Sequence, residues 1–199
     1  METRIFHRNL VRNKTIKSMN KILSIIVLLT SLLLSAQEKA SVEKSVTGVQ
    51  IGLFGTEFYN EAKLSDQFAL RSEASLNPAI FGGSFYSKTG FIFYPEISLI
   101  PKYYYNLNRR LEKGKNIKNN SGNYLALDIT YTPDWFVISN YDNIQMSNIL
   151  TIIPTYGIRR NFAKNFNYEA KFGLGYGTNL DYKDSGAAIN LSFKIGYDF

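Results

Sequence analysis

Ten charged residues fall on the polar side of alternating runs: Arg71, Glu73, Glu96, Lys102, Asp128, Arg159, Glu169, Lys171, Lys194 and Asp198. Paired carboxylates such as Glu73 and Glu96 have the chemistry of general acids and bases. Alternation along neighbouring strands also produces such pairs by default. A mixed set of acids and bases in a narrow interior has a simpler use as a salt-bridged plug, because an unpaired buried charge is costly. The plug is the reading adopted. A narrow gated pore or small polar-ligand site is the alternative, and a carboxylate-only catalyst the third.

Other chemistry is sparse. Cysteine is absent, which removes disulfides, thiolate metal sites and Cys nucleophiles. The single histidine is His7. Residues 37–199 therefore lack the commonest general base, metal ligand and middle member of a serine triad. Gly173, Gly175 and Gly177 mimic part of a phosphate-binding loop, but that fingerprint needs a tight turn into a helix. Here the three lie within one strand, where they relieve crowding or let the sheet curve. Asp134, Asp142, Asp181 and Asp184 lie in expected outer loops, without the spacing of a calcium loop, and read as solvated. Arg109, Arg110, Lys113, Lys115 and Lys118 form a basic turn. A solvated turn is the plain reading, and contact with anionic headgroups the other. No catalytic, metal or cofactor site is expected, and the chain is read as a non-enzyme.

The N-terminal residues carry an address. From Met19, Lys21 supplies a positive region and residues 22–34 an apolar one, followed by the small Ser35 and Ala36. That is a cleaved signal peptide with Gln37 as the mature start. The apolar run falls short of the roughly 20 residues a membrane helix needs. Six of the 23 basic residues and one of the 16 acids lie in positions 1–36. The remaining 17 bases and 15 acids leave a net charge of +2, which gives no argument for nucleic acid. Residues 37–45 are polar and read as a loose leader. Residues 46–199 form the single domain.

The charged residues need strands to position them. Aromatics are abundant, and Gly, Asn and Ser cluster between apolar alternating runs, an all-β pattern. Seven strands can be read, at about 46–58, 66–78, 91–106, 122–132, 148–161, 166–178 and 187–199. They are long against the usual five or six residues. A tilted strand crossing a bilayer takes about 9–11. Pro95, Pro101 and Pro154 suggest bulges or strand ends. Segments 60–67, 106–122 and 161–165 read as periplasmic turns, and 79–90, 133–147 and 179–186 as extracellular loops. Single-chain bacterial barrels have even strand numbers, so eight strands are expected. The eighth comes either from a weak strand in 38–46 or from two strands merged in one of the seven segments. Tyr103, Tyr104, Tyr105, Tyr197 and Phe199 would form one aromatic belt, and Phe91, Phe93, Tyr94, Trp135 and Phe136 the other.

The last strand alternates Leu191, Phe193, Ile195, Tyr197 and Phe199 with Asn190, Ser192, Lys194, Gly196 and Asp198. An apolar face closed by a final Phe resembles the C-terminal strand of bacterial outer-membrane β-barrels. The resemblance implies an insertion signal at Phe193, Ile195, Tyr197 and Phe199. Residues 103–116 and 121–127 resemble a strand–turn–strand of small, uncharacterised outer-membrane barrels of Bacteroidetes-type bacteria, with an OmpA/OmpX-like architecture. That resemblance implies a small barrel and assigns no substrate.

The expected fold is all-β: a closed antiparallel up-and-down transmembrane β-barrel of eight strands behind a cleaved signal peptide. The expected role is non-catalytic, in envelope structure or surface interaction through extracellular loops of the outer membrane. A porin-like pore or ligand-binding transport barrel is the alternative. A soluble secreted lipocalin-like barrel is the second, and it would have to bury Leu125, Leu127 and Ile129 and expose Asp128. Outer-membrane lipid and the barrel insertion machinery are the expected partners, nucleic acid is not, and the expected state is a monomer.

Overall fold

Side chains alternate between the two faces of a strand, so the alternating runs dictate a sheet with one apolar and one polar surface. A computed structural model of the chain describes residues 39–84 and 87–199. The signal-peptide reading on positions 1–36 lies outside the described residues. The strands are β1 (Ser45–Gly52), β2 (Gly55–Lys63), β3 (Phe68–Phe81), β4 (Gly90–Tyr103), β5 (Asn123–Thr132), β6 (Ile138–Ser139), β7 (Ile149–Phe162), β8 (Phe166–Asn179) and β9 (Asp184–Asp198). A short helix α1 (Leu107–Glu112) and a 3-10 turn (Lys118–Asn120) lie between β4 and β5.

Eight strands close into an antiparallel barrel in the order β3-β2-β1-β9-β8-β7-β5-β4, with β4 pairing back to β3 along its full length. The two-residue β6 adds to the loop-side end of β4. The even count comes from splitting the first expected strand. The segment read as 46–58 is two strands joined by a hairpin at Leu53 and Phe54, with Gly52 opposite Gly55. Gly55 has φ +125°, a left-handed conformation that suits only glycine. Phe54, expected on a strand face, is in the turn.

β1 runs beside β9 with Gly48 opposite Asp198, so the beginning of β1 and the end of β9 share one end of the barrel. The turns 64–67 and 163–165 and the α1 segment lie at that end, called the cap end here. The hairpin at 53–54 and the connections 82–89, 133–148 and 180–183 lie at the loop end.

The three prolines do not end strands. Pro95 and Pro101 lie inside β4 and Pro154 inside β7. Each falls where a ladder hydrogen bond is not required. The β4–β5 ladder is interrupted at Ile100 and Pro101, and the β7–β8 ladder at Ile153 and Pro154, with the same register on both sides of each gap. Pro95 lies beyond the last β5 partner of β4. Beside the second gap, a Cβ on Gly173 would meet the Pro154 carbonyl and the Thr155 hydroxyl. The glycine lets β8 approach β7 closely there.

Residues 40–44, expected within the loose leader, are packed. Ala40 and Val42 are buried with Ala69, Tyr104, Leu107 and Tyr124 in an apolar cluster under the barrel, flanked by Leu111 and Ile117. The Val42 amide donates to the Asp66 carbonyl over 2.9 Å, and the Ala40 amide to Asn108 Oδ1 over 3.0 Å. These backbone donors find partners in the cap, so the segment is held although its composition is polar. The segment 106–122, read as a turn, folds as this cap. Its Arg109, Lys113, Lys115 and Lys118 are exposed.

The outward face carries the large apolar side chains. Leu125 is 53% exposed, Leu191 64% and Phe172 54%, whereas Asp128 is 4% exposed. Ile51, Leu99, Ile152, Leu174, Phe193 and Ile195 are likewise exposed. The burial of Leu125 and Leu127 that a lipocalin-like interior needs is not met, although such a protein would share the barrel. Aromatics ring the cap end, with Phe68 stacked on Tyr103 at 4.7 Å and Phe166 edge-on to Tyr197 at 5.3 Å. Tyr104, expected in that ring, is fully buried and points inward, because residues 103–105 continue the alternation out of β4. At the other end Tyr94 faces the interior, while Phe91, Phe93, Trp135 and Phe136 are exposed.

Candidate functional site

The polar faces of the eight strands converge on the barrel interior, which at this strand number is just wide enough for side chains to fill. Of the ten expected interior charges, nine are buried and Glu96 is half-buried. The structure gathers them into two zones.

The zone toward the cap end is a plug centred on Glu169. Its carboxylate accepts from Arg71 Nη1 at 2.9 Å, Lys102 Nζ at 2.8 Å and Arg159 Nη1 at 3.2 Å. Gln50 Nε2 adds a bond at 3.2 Å and the Tyr124 hydroxyl another. Arg71 also donates through Nε to Glu73 at 2.9 Å and through Nη2 to Glu57. Lys102 also pairs with Glu61 at 3.1 Å, Arg159 with Asp198 at 2.6 Å, and Lys194 with Glu57. Aromatic faces complete the cations' shell. Tyr59 lies 3.7 Å from the Arg71 guanidinium and Tyr124 lies 4.4 Å from Lys102 Nζ. Such contacts strengthen when desolvated. Gly157 makes the room, since a Cβ there would overlap the Tyr124 ring.

The cap seals the plug from below. Asn119 and Asn120 have φ of 48° and 59°, a region Asn tolerates better than most residues. Asn120 Nδ2 reaches Glu61 at 2.6 Å and Asn119 Nδ2 reaches Asp198 at 3.0 Å. Tyr104 donates to Glu61 at 2.8 Å. Burial, with the Glu61 charge next, pushes the Tyr104 hydroxyl well above its ordinary pKa, so it remains a donor.

The zone toward the loop end is a vestibule of about 440 Å³. Glu73, Glu96, Asp128, Lys171 and Lys194 line it, with Asn77, Asn190, Phe54 and Tyr94. Lys171 Nζ lies 3.8 Å from Glu73. Glu96 accepts from Asn77 and from Thr132 at 3.1 Å. Asp128 Oδ2 accepts from Asn190, while Oδ1 has no partner.

Sequence reasoning missed Glu57, Glu61 and Tyr59. All three are buried in β2, beyond the unseen hairpin. Their own alternation, Glu57-x-Tyr59-x-Glu61, was the available signal. The four aspartates expected in outer loops are exposed, and Asp184 is the first residue of β9, not a loop residue. Asp181 ties its turn to the connection 133–148, accepting from the Asn148 amide at 2.8 Å and from Asn148 Nδ2 at 3.1 Å. The side chains of Phe193, Ile195, Tyr197 and Phe199 are all exposed on the outer surface.

Among known protein families, curated proteins and solved structures, no match to the chain is found. The geometry of the chain itself has to carry the functional reading.

Proposed function

We propose that the chain is a small, monomeric integral outer-membrane β-barrel protein without catalytic activity, serving envelope structure or surface interaction through its loop end. The observation that carries this reading is the inversion of polarity. Large apolar side chains cover the outside of a closed barrel while its charges are buried within. In water, contiguous exposed apolar area well beyond a few hundred Å² is uncommon on a monomer. In a bilayer the same surface is the solvated one, and closure leaves no strand edge facing lipid. The 14-residue β3, β4, β7 and β8 are long enough to cross with tilt. The aromatic ring at the cap end suits an interface. The signal peptide, the insertion signal and the resemblance of residues 103–116 and 121–127 to small outer-membrane barrels belong to the same proposal.

The non-catalytic part rests on commitment of the interior groups. Most interior acids are already tied to cations of the plug, and no histidine lies in positions 37–199. The plug also disfavours the pore reading. Membrane fractionation and heat-modifiable gel mobility test the proposal. Recovery in the outer-membrane fraction with a fast-migrating unheated form supports it. A fully soluble protein that needs no detergent overturns it.

A further inference from the structure

Among the described residues the interior holds unequal numbers of charges. Seven carboxylates face it, Glu57, Glu61, Glu73, Glu96, Asp128, Glu169 and Asp198, against five cations, Arg71, Lys102, Arg159, Lys171 and Lys194. Five of the acids lie within 4 Å of a cation. The two that do not are Glu96 and Asp128, and both line the vestibule. Three acids and two lysines line the vestibule, a net charge of −1, and both acids without a cation within 4 Å are among them.

Asp128 is the sharper of the two. It is 96% buried by its 4% exposure, it faces the vestibule, and its Oδ1 is the one buried side-chain oxygen or nitrogen among the described residues with no hydrogen-bond partner. An acceptor in that position costs stability unless something donates to it. Lys194 is bonded to Glu57, and Lys171 Nζ comes within 3.8 Å of Glu73 without donating a hydrogen bond to Asp128.

The two carboxylates are spaced along the barrel. Thr132 bonds Glu96 across the β4–β5 pair, and Asp128 lies four residues deeper on the same strand. That is about 13 Å of strand, too far for one metal ion to touch both. It suits a ligand that carries separated positive groups on a flexible stem. Tyr94 and Phe54 in the wall offer faces to methylenes and ammonium groups.

We infer that the vestibule binds an organic cation with two or more ammonium groups, a polyamine, one ammonium on the Asp128 carboxylate at the floor and another on Glu96 nearer the loop end. The inference goes beyond the outer-membrane reading and is tested without it, on purified full-length mature chain in detergent micelles.

Spermidine is titrated by calorimetry, with uncharged sorbitol as a comparison. Saturable binding of one spermidine per chain is expected, with none of sorbitol. D128N keeps the shape and the Asn190 contact, and should weaken binding roughly tenfold or more, as loss of a charged hydrogen bond does. E96Q should weaken it less, and D142N in an exposed loop not at all. Should D128N fail to fold, carboxylate carbon shifts of the unmodified chain decide. Asp128 and Glu96 should move on titration and Asp142 and Asp184 should not. No saturable binding, equal binding of sorbitol, full affinity in folded D128N, or shifts confined to Asp142 and Asp184 would each overturn the assignment.

Discussion

Arg71 and Glu169 meet across the full width of the barrel, Arg71 Nη1 donating to Glu169 Oε2 over 2.9 Å. Their strands, β3 and β8, stand four places apart in a ring of eight. A bond between diametrically opposed walls closes the interior at that level. It also ties residues 98 positions apart in sequence, so the plug forms only when the barrel is nearly complete.

Glu169 holds three cations in this plug. Glu169→Ala would leave Arg71, Lys102 and Arg159 short of a counter-charge in a buried site. Removing one partner of a buried pair typically costs about 3–5 kcal/mol, and this carboxylate should fall at the upper end. Urea unfolding of the refolded barrel, read by loss of the fast-migrating gel form, checks this. A variant as stable as the parent would mean the plug is incidental.

Conductance follows from the same closure. In planar bilayers the unmodified chain should show no stable stepwise current, because the plug and the cap with Asn119 and Asn120 fill the cap-end interior. Regular conductance steps from purified protein would favour the pore reading instead.

Crowding around Tyr124 predicts a coupled pair. Gly157→Ala should destabilise by about 1–3 kcal/mol as an overpacked site does, since the new methyl group meets the Tyr124 ring. In a Tyr124→Ala background the same change should cost much less. A double-mutant cycle measures the difference, and additive effects would contradict the contact.

Much of the barrel was legible because period-two alternation is local. Six of the seven segments matched strands within a few residues, and the ten charges chosen from polar faces are buried or, for Glu96, half-buried. The hairpin at Leu53 and Phe54 was hidden because its turn residues are apolar and continue the hydrophobic run. A turn of the Asn-Gly kind would have announced it. Glu57 and Glu61 were lost with it. Residues 40–44 looked like leader because their polar composition says nothing about Asp66, Asn108 and Asn120, which hold them from distant parts of the chain. The proline positions misled because a missing N–H matters only on the side where the ladder needs it. Which acids would remain unpaired was not legible at all, since pairing depends on side-chain reach across the interior.

The apolar outside makes a prediction of different size in the two environments. Leu191 lies mid-strand on β9 and is exposed. Leu191→Arg should cost about 2–4 kcal/mol if that position faces the bilayer midplane, and close to nothing if it faces water. Unfolding of the barrel refolded into lipid vesicles separates the two.

The most direct measurement places a reporter at that same position. Trp135 is the chain's single tryptophan, so Leu191→Trp in a Trp135→Phe background gives one fluorophore on the outer face. In vesicles containing lipids brominated on their acyl chains, strong quenching is expected, with little effect of aqueous iodide. Quenching by iodide with none by the brominated chains would contradict a lipid-facing barrel.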